Sequence, residues 1–244
     1  MICLQGGAEF GADCIAMDRL LVEAARNAGR TGDIVVTALA GASGFEYDTA
    51  NNNGIRHFSS IVKSVYGNDD APSVIAAPDA RGDEAGAQAA LRSASIIVLP
   101  GGSPSRLLSA LIEHKLDQLL KEFLDGSGGI LMGASAGAMV LCEQTWLPDR
   151  GKLAAGLALV PGCLVLPHFS AGGLGRLDSV GGAGPAITVL GLPEQSGLIV
   201  QTSSTSQTAL VMTSVGAKPS TVIKPNSGEQ LLALGQSLTV EVPA

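Results

Sequence analysis

Short apolar segments alternate with longer amphipathic segments along the first half of the chain. The apolar segments are uninterrupted and only a few residues long, which is typical of strands buried on both faces of a sheet. The longer segments have apolar residues at helical spacing on one face. This pattern predicts strands at residues 2–4, 33–39, 73–77, 95–99 and 129–132. It predicts helices at residues 14–28, 54–65, 85–92, 105–114, 116–125 and 138–143, with a polar loop over residues 47–53.

Strands that alternate with helices indicate βαβ units, and hence a mostly parallel sheet covered by helices on both faces. In such sheets, ligands bind beyond the carboxyl ends of the strands. No break in composition divides the chain, so residues 1–244 are interpreted as one domain. We therefore predict an α/β fold, a three-layer and mostly parallel sheet flanked by helices.

The last third of the chain has a different pattern and predicts a smaller, antiparallel C-terminal part. Strands are expected at residues 163–167, 197–200, 209–212, 220–223 and 238–242, the last of them at a sheet edge. Residues 220–223 are expected to pair with residues 209–212 across Gly216. Residues 171–184 contain six glycines and predict an irregular loop at the active site.

Composition excludes several classes of partner. The formal net charge is −7 and no Lys/Arg cluster is present, whereas nucleic-acid binding needs a concentrated basic patch. No segment approaches the roughly 18 consecutive apolar residues of a membrane span. The N-terminal segment lacks the basic start of a signal peptide, so we expect a cytoplasmic protein.

The four cysteines, Cys3, Cys14, Cys142 and Cys163, lie at wide and irregular spacings within apolar segments. Such spacing fits neither a disulfide framework nor a metal-binding motif. We expect buried, reduced thiols.

A candidate nucleophile lies in the segment Gly133-Ala134-Ser135-Ala136-Gly137. It follows an apolar strand and precedes a helical segment, which is the G-x-S-x-G pattern of a nucleophile elbow. Glycines allow the sharp turn and the close approach of a ligand to the backbone. The competing interpretation is an ordinary turn in a glycine-rich chain, so Ser135 needs partners elsewhere.

Three histidines could activate Ser135, because a serine hydroxyl needs a positioned base. His114 lies between charged residues at a predicted helix end, which favours a solvated side chain, and His57 lies within another predicted helix. His168 follows the apolar strand 163–167 and precedes the glycine-rich loop, the position from which a base can reach a cleft. His168 is the favoured base, with a structural histidine as the alternative.

The remaining parts of the site are an orienting acid and an oxyanion hole. Glu194, just before the apolar strand 197–200, is the first candidate for the acid, and Asp178 is its rival. The backbone N–H of Ala136 belongs to the elbow, and Gly102, in a Gly-Gly turn after another strand, is the expected second donor.

Together these motifs resemble the serine peptidases of the cyanophycinase and aspartyl dipeptidase (dipeptidase E) family S51, which have a class I glutamine amidotransferase-like, flavodoxin-like fold. The matching segments cover nearly the whole chain and comprise Gly6-Gly7-Ala8-Glu9, Leu99-Pro100-Gly101-Gly102, Gly133–Ala138, Pro167-His168-Phe169, Gly175-Arg176-Leu177 and Gly191-Leu192-Pro193-Glu194. The order Ser, His, Glu also agrees with that family and differs from the Ser, Asp, His order of α/β-hydrolases.

The resemblance implies a Ser135–His168–Glu194 triad that hydrolyses small peptides or isopeptides through an acyl-enzyme, without metal or cofactor. Arg106 and Arg176 are candidate clamps for a substrate carboxylate, since guanidinium pairs bidentately with carboxylates, and surface salt bridges are the alternative. Of the arginines that follow His-Phe in cyanophycinases only Arg176 is present, which leaves the specificity open.

Two other functions stay open. A catalytically inactive binding or sensing protein could use the same fold, since fold does not determine function. An amidotransferase glutaminase is disfavoured because that chemistry would be expected to use a cysteine at position 135. The oligomeric state is left open between a monomer and a homodimer.

Overall fold

The computed structural model describes residues 1–67, 70–170, 183–184, 186–203, 208–225 and 227–241. Its helices are α1 Ile15–Asn27, α2 Phe45–Tyr66, α3 Glu84–Arg92, α4 Pro104–Glu113, α5 Leu116–Ser127 and α6 Ala136–Leu141. The first strands are β1 Ile2–Gln5, β2 Asp33–Val36, β3 Val74–Ala76, β4 Ala94–Leu99 and β5 Ile130–Ala134. The later strands are β6 Cys142–Leu147, β7 Lys152–Ala155, β8 Val160–Pro167, β9 Thr188–Leu192, β10 Ser196–Thr202, β11 Ala209–Gly216, β12 Ser220–Lys224, β13 Gly228–Leu232 and β14 Ser237–Glu241.

An eight-stranded sheet with the order β14-β11-β10-β1-β5-β4-β2-β3 forms the middle layer. Strands β1, β5, β4, β2 and β3 are parallel to one another. Strands β10, β11 and β14 extend the sheet in antiparallel pairs, with β14 at the edge. The predicted fold class, a mostly parallel α/β sheet with an antiparallel C-terminal part, is confirmed.

The parallel strands are apolar without interruption because both of their faces are buried. In β4, Ile96 and Val98 belong to the core shared with α1 and α2, whereas Ile97 and Leu99 belong to the core shared with α3 to α6. All four side chains are fully buried. Successive strand residues point to opposite faces, so a strand covered on both sides needs apolar residues at every position.

A second sheet of six strands, in the order β13-β12-β9-β8-β6-β7, packs on the same face as α3 to α6. Four of its strands, β6, β7, β9 and β13, are absent from the sequence-based prediction. The central strands β8 and β9 are parallel, with Pro167 paired with Leu192. This pairing brings the residues that follow the two strands to the same end of the sheet.

The loop predicted over residues 47–53 is wrong, because α2 begins at Phe45 and includes all of them. The Tyr47 side chain is buried and its hydroxyl donates a hydrogen bond to the Ala77 carbonyl at 2.9 Å. Buried Asn51 accepts the Ala38 N–H at 3.1 Å. Contacts with distant residues therefore satisfy polar groups that, in the sequence, are typical of a loop.

The helix predicted after the elbow is present, but it ends at Leu141 rather than at residue 143, and Cys142 begins β6. The predicted pairing of the strand at residues 220–223 is wrong. Strand β12 does not pair with β11 but with β9 and β13 in the smaller sheet. The chain changes sheets between Gly216 and Ser220, where the Ser220 hydroxyl donates to the Gly197 carbonyl at 3.1 Å. Most of the predicted loop 171–184 lies outside the described residues.

Candidate active site

Three turns lie side by side at the carboxyl edge of the central sheet. They follow β1, β5 and β4, which are neighbouring parallel strands. Ser135 follows the middle one of these strands, and its N–H donates to the Gln5 carbonyl at 2.8 Å. On its other side, a Cβ on Gly101 would lie 3.2 Å from the Ser135 Cβ. Ser135 is thus flanked by the two Gly-Gly turns.

The Ser135 backbone has the strained conformation of a nucleophile elbow, with φ 48° and ψ −107°. Both neighbouring glycines are required by close contacts: a Cβ on Gly133 would lie 2.5 Å from the Gly137 carbonyl carbon. A Cβ on Gly137 would lie 2.2 Å from the Leu99 carbonyl oxygen. Strained backbone of this kind persists only where the surrounding structure determines it.

His168 and Glu194 come from the smaller sheet and meet Ser135 above this edge. His168 follows β8 and Glu194 follows β9 by two residues. The Ser135 Oγ lies 3.0 Å from His168 Nε2, and His168 Nδ1 lies 2.9 Å from Glu194 Oε1. The structure therefore brings together the three residues that the sequence singled out.

The contact with Glu194 determines the protonation of the imidazole. An ionised carboxylate can only accept hydrogen bonds, so the proton of a neutral His168 lies on Nδ1. Nε2 then has a lone pair directed at the Ser135 hydroxyl. This is the tautomer in which a histidine can accept a proton from serine.

The turn after β1 holds the histidine and glutamate segments in place. The Gly6 carbonyl accepts the His168 N–H at 2.8 Å, and the Gly7 carbonyl accepts the Gln195 N–H at 2.9 Å. Both His168 and Gln195 have left-handed backbone conformations, with φ 52° and φ 60°. Sequence reasoning assigned this turn no role in the site, although the Gly-Gly pair at the end of the first strand was a visible signal.

Gly7 leads to a prediction about the position of the imidazole. Its φ is +125°, and a Cβ there would lie 2.3 Å from His168 Cε1. We expect Gly7→Ala to displace the ring and to lower kcat/KM about 100-fold, because a misplacement of about 1 Å can have this effect. Steady-state kinetics on the best available peptide substrate would measure the loss.

Gly29→Ala is the matched control. Gly29 also has a positive φ, +67°, but no described atom lies within 4 Å of the position of its Cβ. Both variants place an alanine at a positive φ and therefore have a strained backbone at that position. Only Gly7→Ala should lose activity at a temperature at which both variants are folded. Equal activity of the two variants would contradict the proposed contact with the ring.

The Gly-Gly turn after β4 has one occupied and one open N–H. The Gly101 N–H donates to Glu9 Oε1 at 2.7 Å. No described residue accepts the N–H of Gly102, whose φ is +139°. Ala136 is the first residue of α6, and N–H groups in the first turn of a helix have no intrahelical acceptor. Glu9 is a site residue that sequence reasoning missed, although it directly follows the Gly6-Gly7-Ala8 turn.

Arg106 lies near this edge with its guanidinium engaged. Its Nη1 donates to the Ala40 carbonyl at 3.0 Å and contacts Glu46 Oε2 at 3.3 Å. About half of each of the two charged side chains is exposed. Arg176 and Asp178 lie outside the described residues.

The other two histidines contact carboxylates other than Glu194. His57 Nε2 lies 2.7 Å from Oδ2 of buried Asp18, next to the rings of Phe10 and Phe58. Burial raises the pKa of the Asp18 carboxyl, and the hydrogen bond from His57 opposes this shift. His114 Nδ1 lies 3.1 Å from Glu84 Oε2.

The cysteines are unsuited to nucleophilic catalysis. All four are buried free thiols. Burial raises the pKa of Cys14 to about 11 and that of Cys163 to about 12, so both remain protonated at neutral pH. Since the thiolate is the reactive form, these residues are inert. In the described part of the chain, no group of three or more His, Cys, Asp or Glu residues is arranged to hold a metal ion.

A serine at a strained elbow, hydrogen-bonded to a histidine that contacts a carboxylate, is the arrangement of the serine hydrolases. The model of Peptidase family S51 matches residues 56–208. The chain therefore belongs to peptidase family S51, and it is a serine peptidase.

Solved structures share the fold over the full length of the chain. A peptidase from an acI-B1 Actinobacterium is 22% identical, with a TM-score of 0.72, over 98% of this chain and 96% of that chain. A candidate peptidase E from Listeria monocytogenes EGD-e is 13% identical, with a TM-score of 0.55, over 99% of this chain and 98% of that chain. No curated protein sequence matches the chain.

Proposed function

We propose that Ser135, His168 and Glu194 form the catalytic triad of a peptidase that hydrolyses small peptides or isopeptides through an acyl-enzyme. The observation that carries this proposal is the pair of contacts at 3.0 Å and 2.9 Å that links the three side chains. Both lie within the range expected for a nucleophile, its base and the group that orients the base.

In the first half of the reaction, Ser135 Oγ attacks the scissile carbonyl carbon while His168 Nε2 takes the hydroxyl proton. The imidazolium is stabilised by Glu194, and it then donates the proton to the leaving amine as the C–N bond breaks. In the second half, water attacks the ester carbonyl with His168 again as the base. The proton returns to Ser135 Oγ and the acid product leaves.

The proposed oxyanion hole consists of the N–H groups of Gly102 and Ala136. The Gly101 N–H is already bonded to Glu9, which supports Gly102 as the donor from this turn. Ala136 supports the other side because its N–H begins α6 directly after the nucleophile. Donors of this kind act in the transition state, where the carbonyl oxygen becomes an oxyanion.

Further properties belong to the same proposal. We propose that residues 1–244 act as one domain and that the enzyme works in the cytoplasm. The burial of all four thiols and the lack, among the described residues, of a helix long and apolar enough to cross a bilayer support this location. Arg106 and Arg176 stay proposed carboxylate clamps, and a homodimer stays a proposal.

Labelling with a fluorophosphonate tests the nucleophile. The intact wild-type protein should gain the mass of one phosphonyl group at Ser135, because these reagents react only with an activated serine. Ser135→Ala should gain none. An adduct that persists in Ser135→Ala, or no adduct on the folded wild-type protein, would overturn the proposal and favour an inactive binding protein.

A further inference from the structure

The loop after β1, residues 6–11, contacts two separate parts of the candidate active site, and we call it the active-site loop. The Gly6 carbonyl accepts the His168 N–H at 2.8 Å. The Glu9 carboxylate accepts the Gly101 N–H at 2.7 Å. His168 is the proposed base, and Gly101 belongs to the turn that carries a proposed oxyanion donor. A shift of the active-site loop would therefore misplace the base and the oxyanion hole together.

Phe10 anchors the active-site loop on helix α2. Its φ is +65°, an uncommon conformation for a residue other than glycine, and its side chain packs against the core shared with α1 and α2. The ring centroid lies 5.6 Å from that of His57 and 6.3 Å from that of Phe58. A Cβ on Gly54 would lie only 3.1 Å from Phe10 Cζ, so the ring lies close to the backbone of the helix.

A buried carboxylate on α1 holds the His57 ring in turn. His57 Nε2 lies 2.7 Å from Asp18 Oδ2, and the two side chains are 6% and 0% exposed. This contact restricts rotation of the imidazole. The rings of Phe10, His57 and Phe58 pack in tilted and edge-to-face arrangements, which depend on the orientation of each ring. A continuous path of contacts therefore leads from Asp18 through His57 and Phe10 to the active-site loop.

The contribution of this pair to stability does not explain its presence. A buried ion pair loses the hydration of both charges, and apolar residues of similar volume often replace such a pair without loss of stability. Burial raises the pKa of the Asp18 carboxyl, as expected for a charge in an apolar environment. Asp18 Oδ1 is also buried and has no hydrogen-bond partner among the described residues. What the pair supplies is a fixed orientation of the imidazole, which two apolar side chains would not provide.

We propose that His57 and Asp18 are positioning residues for the peptidase reaction. They orient the ring against which Phe10 packs, and Phe10 fixes the active-site loop. Neither residue makes a described hydrogen bond to the proposed triad, so both act through the loop. The inference rests on the proposed function, because the loop matters only if His168 is the base and the turn after β4 binds the oxyanion.

The rate of fluorophosphonate labelling at Ser135 tests the inference without a known substrate. This reaction needs an activated serine, and it places a phosphonyl oxygen where the oxyanion would form. In the variant Asp18→Val/His57→Leu, apolar side chains of similar volume replace the pair. We expect it to label about 10-fold more slowly than the wild type, since a misplacement of about 1 Å can cost about 100-fold. Its melting temperature should equal or exceed that of the wild type.

Phe10→Leu tests the middle of the same path and decides the question if the double variant does not fold. Phe10 lies in a loop and is only partly buried, so the Asp18–His57 pair remains in place. This variant should also label about 10-fold more slowly. In the triple variant the two losses should not multiply, because both changes release the same loop.

Ile61→Val is the control for lost packing. Ile61 lies one turn after His57 on α2 and is buried in the core against which Phe10 packs. The variant should have a lower melting temperature than the wild type, because it removes a buried methyl group. It should label Ser135 at the wild-type rate.

The outcomes separate the inference from the function on which it rests. A wild-type labelling rate in the folded Asp18→Val/His57→Leu variant or in Phe10→Leu would show that the pair does not position the site, while the nucleophile stands. Losses that multiply in the triple variant, or equally slow labelling of Ile61→Val, would lead to the same conclusion. If the wild-type protein gains no adduct at Ser135, the proposed function fails and the inference fails with it.

Discussion

Replacing His168 by alanine should lower kcat by about 10⁶-fold with the fold intact, because serine and its base act as one unit. Without Nε2 at 3.0 Å, no other described residue that could take the proton makes a hydrogen bond to the Ser135 hydroxyl. Single-turnover measurement of product with excess enzyme would give the rate of so slow a variant. Circular dichroism would verify the fold.

The double variant Ser135→Ala/His168→Ala makes this prediction sharper. Since each single change already disables the unit, the double variant should be no slower than either single variant. His114→Ala is the control, because His114 also contacts a carboxylate but pairs with Glu84, away from Ser135. If the loss of kcat in the double variant equalled the product of the losses in the two single variants, Ser135 and His168 would not act as one unit.

Replacing Glu194 by glutamine should lower kcat by about 10³- to 10⁴-fold. The amide keeps the shape, but its NH₂ group can stabilise the wrong imidazole tautomer, and it cannot stabilise the imidazolium. The lower end of this range applies because the His168 and Glu194 side chains are 44% and 53% exposed, so solvent screens part of the electrostatic interaction. The pH dependence of kcat would show the loss across the whole active range.

Asp178→Asn is the comparison that decides between the two candidate acids. If Glu194 orients His168, Asp178→Asn should keep nearly full activity. A larger loss in Asp178→Asn than in Glu194→Gln would assign the role to Asp178.

The parts of the site that sequence reasoning identified share a local signal. Ser135, His168 and Glu194 each stand near the end of an apolar strand, next to proline or between nearby glycines. Short apolar runs and small-residue turns report local backbone conformation, so they can be identified without knowing which strands are neighbours. The same holds for the parallel strands of the central sheet, whose two buried faces leave an unbroken apolar run.

The features that sequence reasoning missed depend on contacts between distant residues. The start of α2 contains Tyr47, whose hydroxyl donates to the Ala77 carbonyl, and Asn51, whose Oδ1 accepts the Ala38 N–H. Strand β9 lacks an alternating pattern because it is buried from Thr188 to Leu192. Glu9 belongs to the segment Gly6-Gly7-Ala8-Glu9 that resembles the family, but its bond to Gly101, which lies 92 residues away, is visible only in the structure.

The sequence by itself determined the class of fold, the nucleophile elbow and the order of serine, histidine and glutamate along the chain. The tertiary structure alone decided that residues separated by 33 and 26 positions lie within hydrogen-bond distance, and that the Glu9 carboxylate accepts the Gly101 N–H in the turn next to the serine. The physical reason is that burial and turn geometry are encoded locally. Contacts between residues on separate strands depend on the order and register of the strands in the sheet. The packing of the whole molecule sets both.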